Sequence, residues 1–354
     1  SVLLNDGRGN LISRRSFDAS SGGLTAAITS IAVGYIDRDK NLDVAAVEDN
    51  SFNRVLLLPG NPDGTLRPAK TFRTGKSPRA VALADVDGDG WTDIITANGA
   101  NSISVLRGNG LGNFKPHVDY TSGLDPYILV IGDFNNDGAP DVVTGNYTGR
   151  GVSALLNDGT GAFPSHIDAY IGSRVIAIAA GDFNKDGNLD IATANGDRIQ
   201  GSFSVLLGNG DGTFVIHETN FKSFGSSVVI GDVNQDGNPD LVLLGNDVTV
   251  YPGQGDGRLG PPIVTNVALD GGVGAIGDFN GDGKLDAVVV TNNFSPLSAL
   301  LLYGNGDGTF QPPQRYPIDE NVAVAVGDFN RDGALDFAAG GDCCVSVLLN
   351  AGAK

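Results

Sequence analysis

Seven copies of one acidic nine-residue loop, 46 to 50 residues apart, constrain this chain more than anything else in it. Six read D-x-[DN]-x-D-G-x-x-D and begin at Asp85, Asp133, Asp182, Asp232, Asp278 and Asp328. The seventh, YIDRDKNLD over 35–43, has Tyr35 for the leading Asp and Lys40 for the Gly. A fixed period of this length is the signature of a repeat architecture. Between loops each unit reads as strand and turn in alternation. One unit runs IAIAAGDF, LDIATAN, SFSVLLGN, the hairpin signal GNGDGTF, then FVIHETNF. The first run is apolar enough for an innermost buried strand, and SFSVLLGN alternates as a half-buried strand does. No helical periodicity interrupts the pattern. The sequence predicts an all-β fold: a seven-bladed β-propeller with four-stranded antiparallel blades. The unbroken period makes 1–354 one domain, because blades bury their faces only against neighbours.

The loop carries its own chemistry. Oxygen side chains at positions 1, 3, 5 and 9, with Gly at 6 for the sharp turn, make a cage for a hard cation. Position 7 varies, as it can where a backbone carbonyl is the ligand. The candidate metal residues of the first complete loop are Asp85, Asp87, Asp89, Trp91 and Asp93. The next two loops offer Asp133, Asn135, Asp137, Ala139 and Asp141, then Asp182, Asn184, Asp186, Asn188 and Asp190. The fourth offers Asp232, Asn234, Asp236, Asn238 and Asp240. The last two offer Asp278, Asn280, Asp282, Lys284 and Asp286, then Asp328, Asn330, Asp332, Ala334 and Asp336. Single Asp-Asn-Gly loops are ordinary turns, but six with every ligand position filled favour metal. In the degraded loop Asp37, Asp39 and Asp43 remain, and Lys40 can offset part of their repulsion.

These loops resemble the calcium loops of FG-GAP/VCBS repeats, found in integrin α-subunit propellers and many secreted bacterial proteins. The flanks agree: AVAVGDF, IAAGDF and GAIGDF precede loops, and SVLLGNGDGTF follows one. The resemblance implies one repeat per blade, with structural Ca²⁺ between its first and second strands in about six sites. It also implies that ligands bind the opposite face. Repeats then span about 28–77, 78–126, 127–174, 175–224, 225–271, 272–320 and 321–354, with closing strands within 1–17. Both ends carry SVLLN, so the termini should pair in one blade. The expected arrangement puts Val345–Asn350 in the third-strand slot, Leu11–Phe17 outside it and Ser1–Asn5 displaced.

The net charge of −18 fits the metal reading, since six dications add 12 positive charges and leave −6. No basic stripe is present to neutralise phosphates, which argues against nucleic acid. No run of about 18 apolar residues exists to span a membrane. The chain begins with Ser and has no Met, as expected of a processed product. Loops of this type often bind calcium at about 10⁻⁴ to 10⁻³ M, an extracellular level, so a secreted or cell-surface location is expected.

His117, His166 and His217 each follow a repeat Phe by three residues, one equivalent outer-strand position in successive repeats. Such positions lie too far apart for one zinc shell, and no G-x-S-x-G elbow is present. Cys343 and Cys344 are the only cysteines. They are either two thiols or a vicinal disulfide, in the connector between second and third strands of the last repeat. Variable connectors on that face are where binding concentrates, and aromatic and Arg residues are the usual anchors. The candidates are Arg79, Tyr127, Tyr147, Arg150, Arg174, Arg198 and Phe294, with the Cys343–Cys344 pair. The expected function is an adhesion or binding module for a glycan or an extracellular protein, not an enzyme. A propeller-fold polysaccharide lyase and a structural spacer are the rivals.

Overall fold

The computed structural model describes residues 14–18, 27–48, 52–196, 201–221, 225–267, 272–291, 297–318, 322–341 and 344–349. Its strands form seven four-stranded antiparallel sheets, the blades of a propeller. Blade one consists of Ile28–Gly34, Asp43–Glu48, Arg54–Leu58 and Lys70–Arg73, innermost to outermost. The inner strands of blades two to five are Pro78–Ala84, Pro126–Gly132, Val175–Gly181 and Gly225–Gly231. Those of blades six and seven are Gly272–Gly277 and Ala323–Gly327.

Six blades follow chain order, and the seventh does not. Ala323–Gly327, Asp336–Gly340 and Cys344–Leu348 receive Arg14–Asp18 as their outermost strand. Arg14 lies opposite Leu348 and Asp18 opposite Cys344. The C-terminal segment thus holds the third slot and an N-terminal strand closes the ring outside it, as the paired SVLLN copies predict. Ser1–Asn5 and Leu11 lie outside the described residues.

The strands differ in burial because neighbouring blades sandwich each sheet. Second strands such as DVAAVE and DIITAN are buried at every residue. Outer strands such as KTFR and VDYT face solvent. Two expectations need correcting here. Inner strands are only half-buried, because one edge faces the propeller axis, where small residues such as those of PRAVALA fit. The third strand Gly201–Gly208, read as half-buried, is almost wholly buried, since both its faces meet another blade. The core is accordingly divided into seven apolar layers between consecutive blades. Ile36, Val47 and Leu57 meet Val81 and Ile94 in one. Another sets Ile31 and Leu56 of blade one against Phe329 and Val347 of blade seven.

Candidate functional site

Each acidic loop leaves an inner strand and returns as the second strand of the same blade. Its Asx geometry is local. In the loop from Asp182, the Asp186 N–H donates to Asp182 Oδ1 at 3.1 Å and Gly187 N–H to Asp182 Oδ2 at 3.0 Å. Asn188 N–H donates to Asp186 Oδ1 at 2.8 Å. The hydrogen bond from Asn188 comes first among the causes that hold Asp186 below the usual carboxylate range, against slight desolvation. The sixth-position Gly needs φ from +81° to +88° in all six complete loops.

The ninth Asp behaves differently. It is fully buried in every loop. Asp190 Oδ2 accepts the Phe183 N–H at 2.8 Å, and Oδ1 accepts the Gly208 N–H from the hairpin after the third strand, also at 2.8 Å. Asp93 repeats this with Val86 and Gly108. Burial, then the neighbouring loop carboxylates, push Asp93, Asp141 and Asp286 up to about 6, against their backbone hydrogen bonds.

This donor set suits a hard dication. Asp85, Asp87 and Asp89 present carboxylate oxygens that all lie within 4.8 Å of one another. An ionised carboxylate has about four acceptor positions, so the ninth Asp keeps acceptor capacity after its two backbone bonds. Asn135 Nδ2 donates to Asp137 Oδ2 at 2.7 Å, and Asn184, Asn234 and Asn330 make the same bond. Those amides leave their Oδ1 on the loop side, accepting the fifth-position N–H.

Sequence reading missed the fourth position. Arg38 lies 4.0 Å over the Trp91 ring in the next blade. Asn136 Nδ2 donates to Asn188 Oδ1, Gln235 Nε2 to the Gly283 carbonyl and Arg331 Nη2 to the Asp39 carbonyl, each in the following blade. Four loops thus reach forward to their neighbours. Variability at this position hides the role, because different side chains make the same bridge.

On the opposite face the inner strands open into an axial cavity of about 630 Å³. In blades one to five a β-bulge sits at the first residues of the inner strand. A bulge re-aims the side chain it displaces. The displaced residues Thr29, Arg79, Tyr127, Ile176 and Ser226 all line the cavity mouth. Among the described residues, Arg79 is the one charged side chain in that lining.

Two sequence candidates, Arg79 and Tyr127, line this mouth, and two more, Tyr147 and Arg174, continue from it. The Arg79 guanidinium lies 5.7 Å from the Tyr127 ring centre, and Tyr127 is 5.6 Å from Tyr147. Arg174 caps the far end, 4.7 Å over the Tyr147 ring, and its Nη1 donates to the Tyr147 hydroxyl at 3.2 Å. The result is an Arg–Tyr–Tyr–Arg ladder across blades two, three and four. Arg79 Nε is buried without a hydrogen-bond partner, and its Nη2 stands 4.0 Å from Asp125. Leu124, also exposed, belongs to the Asp125 turn beside the ladder.

Arg150 stands apart. Its Nη1 donates to the Gly172 carbonyl at 3.1 Å, and its own carbonyl accepts the N–H groups of Ile171 and Gly172. It braces a connector. Cys344 is disulfide-bonded, and the one other cysteine of the chain is Cys343. Cys343, Arg198 and Phe294 lie outside the described residues. His117 and His166 sit on the outer rim, His117 Nδ1 at 2.9 Å from Asp119 Oδ1.

The FG-GAP-like repeat model matches six overlapping segments: 35–96, 85–144, 133–193, 186–243, 232–289 and 278–339. The chain belongs to the FG-GAP-like repeat family. Each match of this FG-GAP-like propeller spans two successive acidic loops or most of them, the unit seen in the blades. No curated protein matches the sequence. Among solved structures, the fold is similar to BBS1N in complex with ARL6DN. The lead-soaked crystal matches with TM-score 0.63 and 12% identity, over 94% of this chain and 97% of that one. The mercury-soaked crystal matches with the same score and identity, over 95% and 97%.

Proposed function

We propose that this FG-GAP-like propeller is a calcium-stabilised binding module that docks a protein partner on the face opposite its acidic loops. The observation that carries the reading is the Arg79–Tyr127–Tyr147–Arg174 ladder at the cavity mouth. Tyr and Arg are the residues that most often dominate interface energetics. Here they are pre-ordered by one another, which lowers the entropy lost on binding. Two guanidinium groups stand here on a chain of net charge −18, one of them, Arg79, 4.0 Å from Asp125 and the other, Arg174, on the Tyr147 ring. That favours an acidic segment on the partner. BBS1N, a propeller of similar fold, is crystallised with a protein, ARL6DN, which supports the protein reading over a spacer role. The calcium half rests on the converging oxygens of the loops, and with it goes a secreted or cell-surface location, where calcium is millimolar.

The test is a binding screen against extracellular proteins and a glycan array, with wild type and the triple variant Tyr127→Ala, Tyr147→Ala, Arg174→Ala. Loss of a protein interaction by at least ~100-fold, at about 2 kcal/mol or more per hot-spot residue, with an unchanged melting point, is the expected result. Binding that survives the triple change moves the interface elsewhere. A second reading comes from the 3.2 Å Arg174–Tyr147 contact, the base-and-neutraliser pair a polysaccharide lyase needs. Release of unsaturated products from acidic polysaccharides, abolished by Tyr147→Phe, would favour it.

A further inference from the structure

The first acidic loop lacks a leading carboxylate and a sixth-position glycine, yet its aspartates converge as those of a complete loop do. Asp37, Asp39 and Asp43 offer oxygens within 4.8 Å of one another. Like charges held so close are stabilised by a cation beside them, and one is present. Arg67 Nη2 lies 2.6 Å from Asp39 Oδ2 and 3.3 Å from Asp37 Oδ2. Arg67 comes from the hairpin between the third and outer strands of the same blade, anchored where its N–H donates to the Pro59 carbonyl at 2.7 Å. Lys40, which the sequence suggested for this task, is exposed on the loop. Lys115, Gly260 and Gln311 make the same backbone bond in blades two, five and six. Three blades with complete loops thus carry other residues at this place. In blade two Arg107 reaches Asp87 at 3.6 Å, but its Nη2 is turned to the Thr160 carbonyl of the next blade.

A second observation concerns the seventh residue. Asn41 is 5% exposed, and its Oδ1 has no hydrogen-bond partner. Its N–H is bound to Asp39 Oδ1 at 2.9 Å. The Arg67 Nε is likewise buried without a partner. An unused oxygen and an unused donor stand on the two elements that form the ion pair.

We propose that Arg67 is the resident cation of the first loop, occupying the place a divalent metal takes in the other six. The loop is a seventh cation site, closed by a guanidinium and able to take calcium through Asp37, Asp39, Asp43 and Asn41 once that group is removed. The proposal rests on the calcium reading of the complete loops. It also places metal-independent wiring beside the closing blade, whose Arg331 donates to the Asp39 carbonyl at 2.8 Å.

Two measurements on the full chain test it. In excess chelator, a double-mutant cycle of Arg67→Gln and Asp39→Asn is followed by melting temperature. Each single change should lower it by several degrees, and the double change by little more than one of them. Additive losses would overturn the ion pair as the loop's cation. In a calcium titration, Arg67→Ser should bind one equivalent more than wild type and gain more melting temperature from calcium. Equal stoichiometry overturns the proposal, as does a variant that stays unfolded in calcium as in chelator. A wild type that takes no calcium while the cycle stays non-additive would remove the metal from the six complete loops and leave the role of Arg67 standing.

Discussion

Asp190 and five of its counterparts do two jobs in one side chain. Each caps its acidic loop and clamps the turn after the third strand of its blade, with the carboxylate fully buried, while in blade seven Asp336 accepts the Phe329 N–H in the same capping bond. The raised pKa of about 6 for Asp43, Asp93, Asp141 and Asp286, from burial first, gives a definite pH dependence. With the folded pKa above the unfolded one, the folded chain binds more protons between about pH 4 and pH 6. Stability therefore falls as pH rises through that window. Carboxyls with lowered values, such as Asp186, act oppositely and only below about pH 4. In chelator the urea midpoint should drop from about pH 4.5 to about pH 6.5, and millimolar calcium should flatten the drop. A chelated protein whose midpoint climbs over that range would sink this account. Lys40 at φ +63° occupies the left-handed position where the other loops have Gly. Lys40→Gly should stabilise by roughly 0.5–1 kcal/mol, read as a higher urea midpoint at unchanged slope. The acidic positions were legible in the sequence because their spacing is local. The clamp was not, because Gly208 comes 18 residues after Asp190.

At the scale of strands, periodicity located the units well. The outer strand of blade four, FVIHETNF, is found as Phe214–Phe221. Burial was less legible. A single chain segment does not reveal that a second sheet will cover its other face, so SFSVLLG looked half-exposed. The bulges that turn Arg79 and Tyr127 into the axial mouth were also silent, since each depends on pairing with a strand some 20 residues on. The layers set the energetics. Phe183 is 1% exposed, between blades four and five. Phe183→Ala should cost about 3–5 kcal/mol. Tyr170, 69% exposed on an outer strand, should cost almost nothing when changed to Ala. Chemical denaturation of the two variants checks the contrast, and similar losses would mean the layers are not the main support.

The whole ring stands or falls with its closure and its loops. Seven apolar layers in a circle leave no free blade face, so opening one seam exposes two. Calcium at a hundredfold over its dissociation constant adds about 2.7 kcal/mol per occupied site. Chelation should therefore lower the melting point sharply, and Asp186→Ala should reproduce part of the loss. Equal midpoints in calcium and chelator would exclude a structural metal. Deleting residues 1–18 removes the fourth strand of blade seven and bares the edge of Cys344–Leu348. The truncated chain should melt less cooperatively and self-associate, as bare edges do. Both ends bearing SVLLN made this closure readable in the sequence.

The register of that last pair has a mechanical consequence. Because the strands are antiparallel with Arg14 opposite Leu348, the chain enters one strand and leaves the other at the same end of the ladder. A pull on the two flanks would load its hydrogen bonds one after another, as a zip opens, rather than all together in shear. Tension applied there would part the ring at its seam at low force while the other six blades still held.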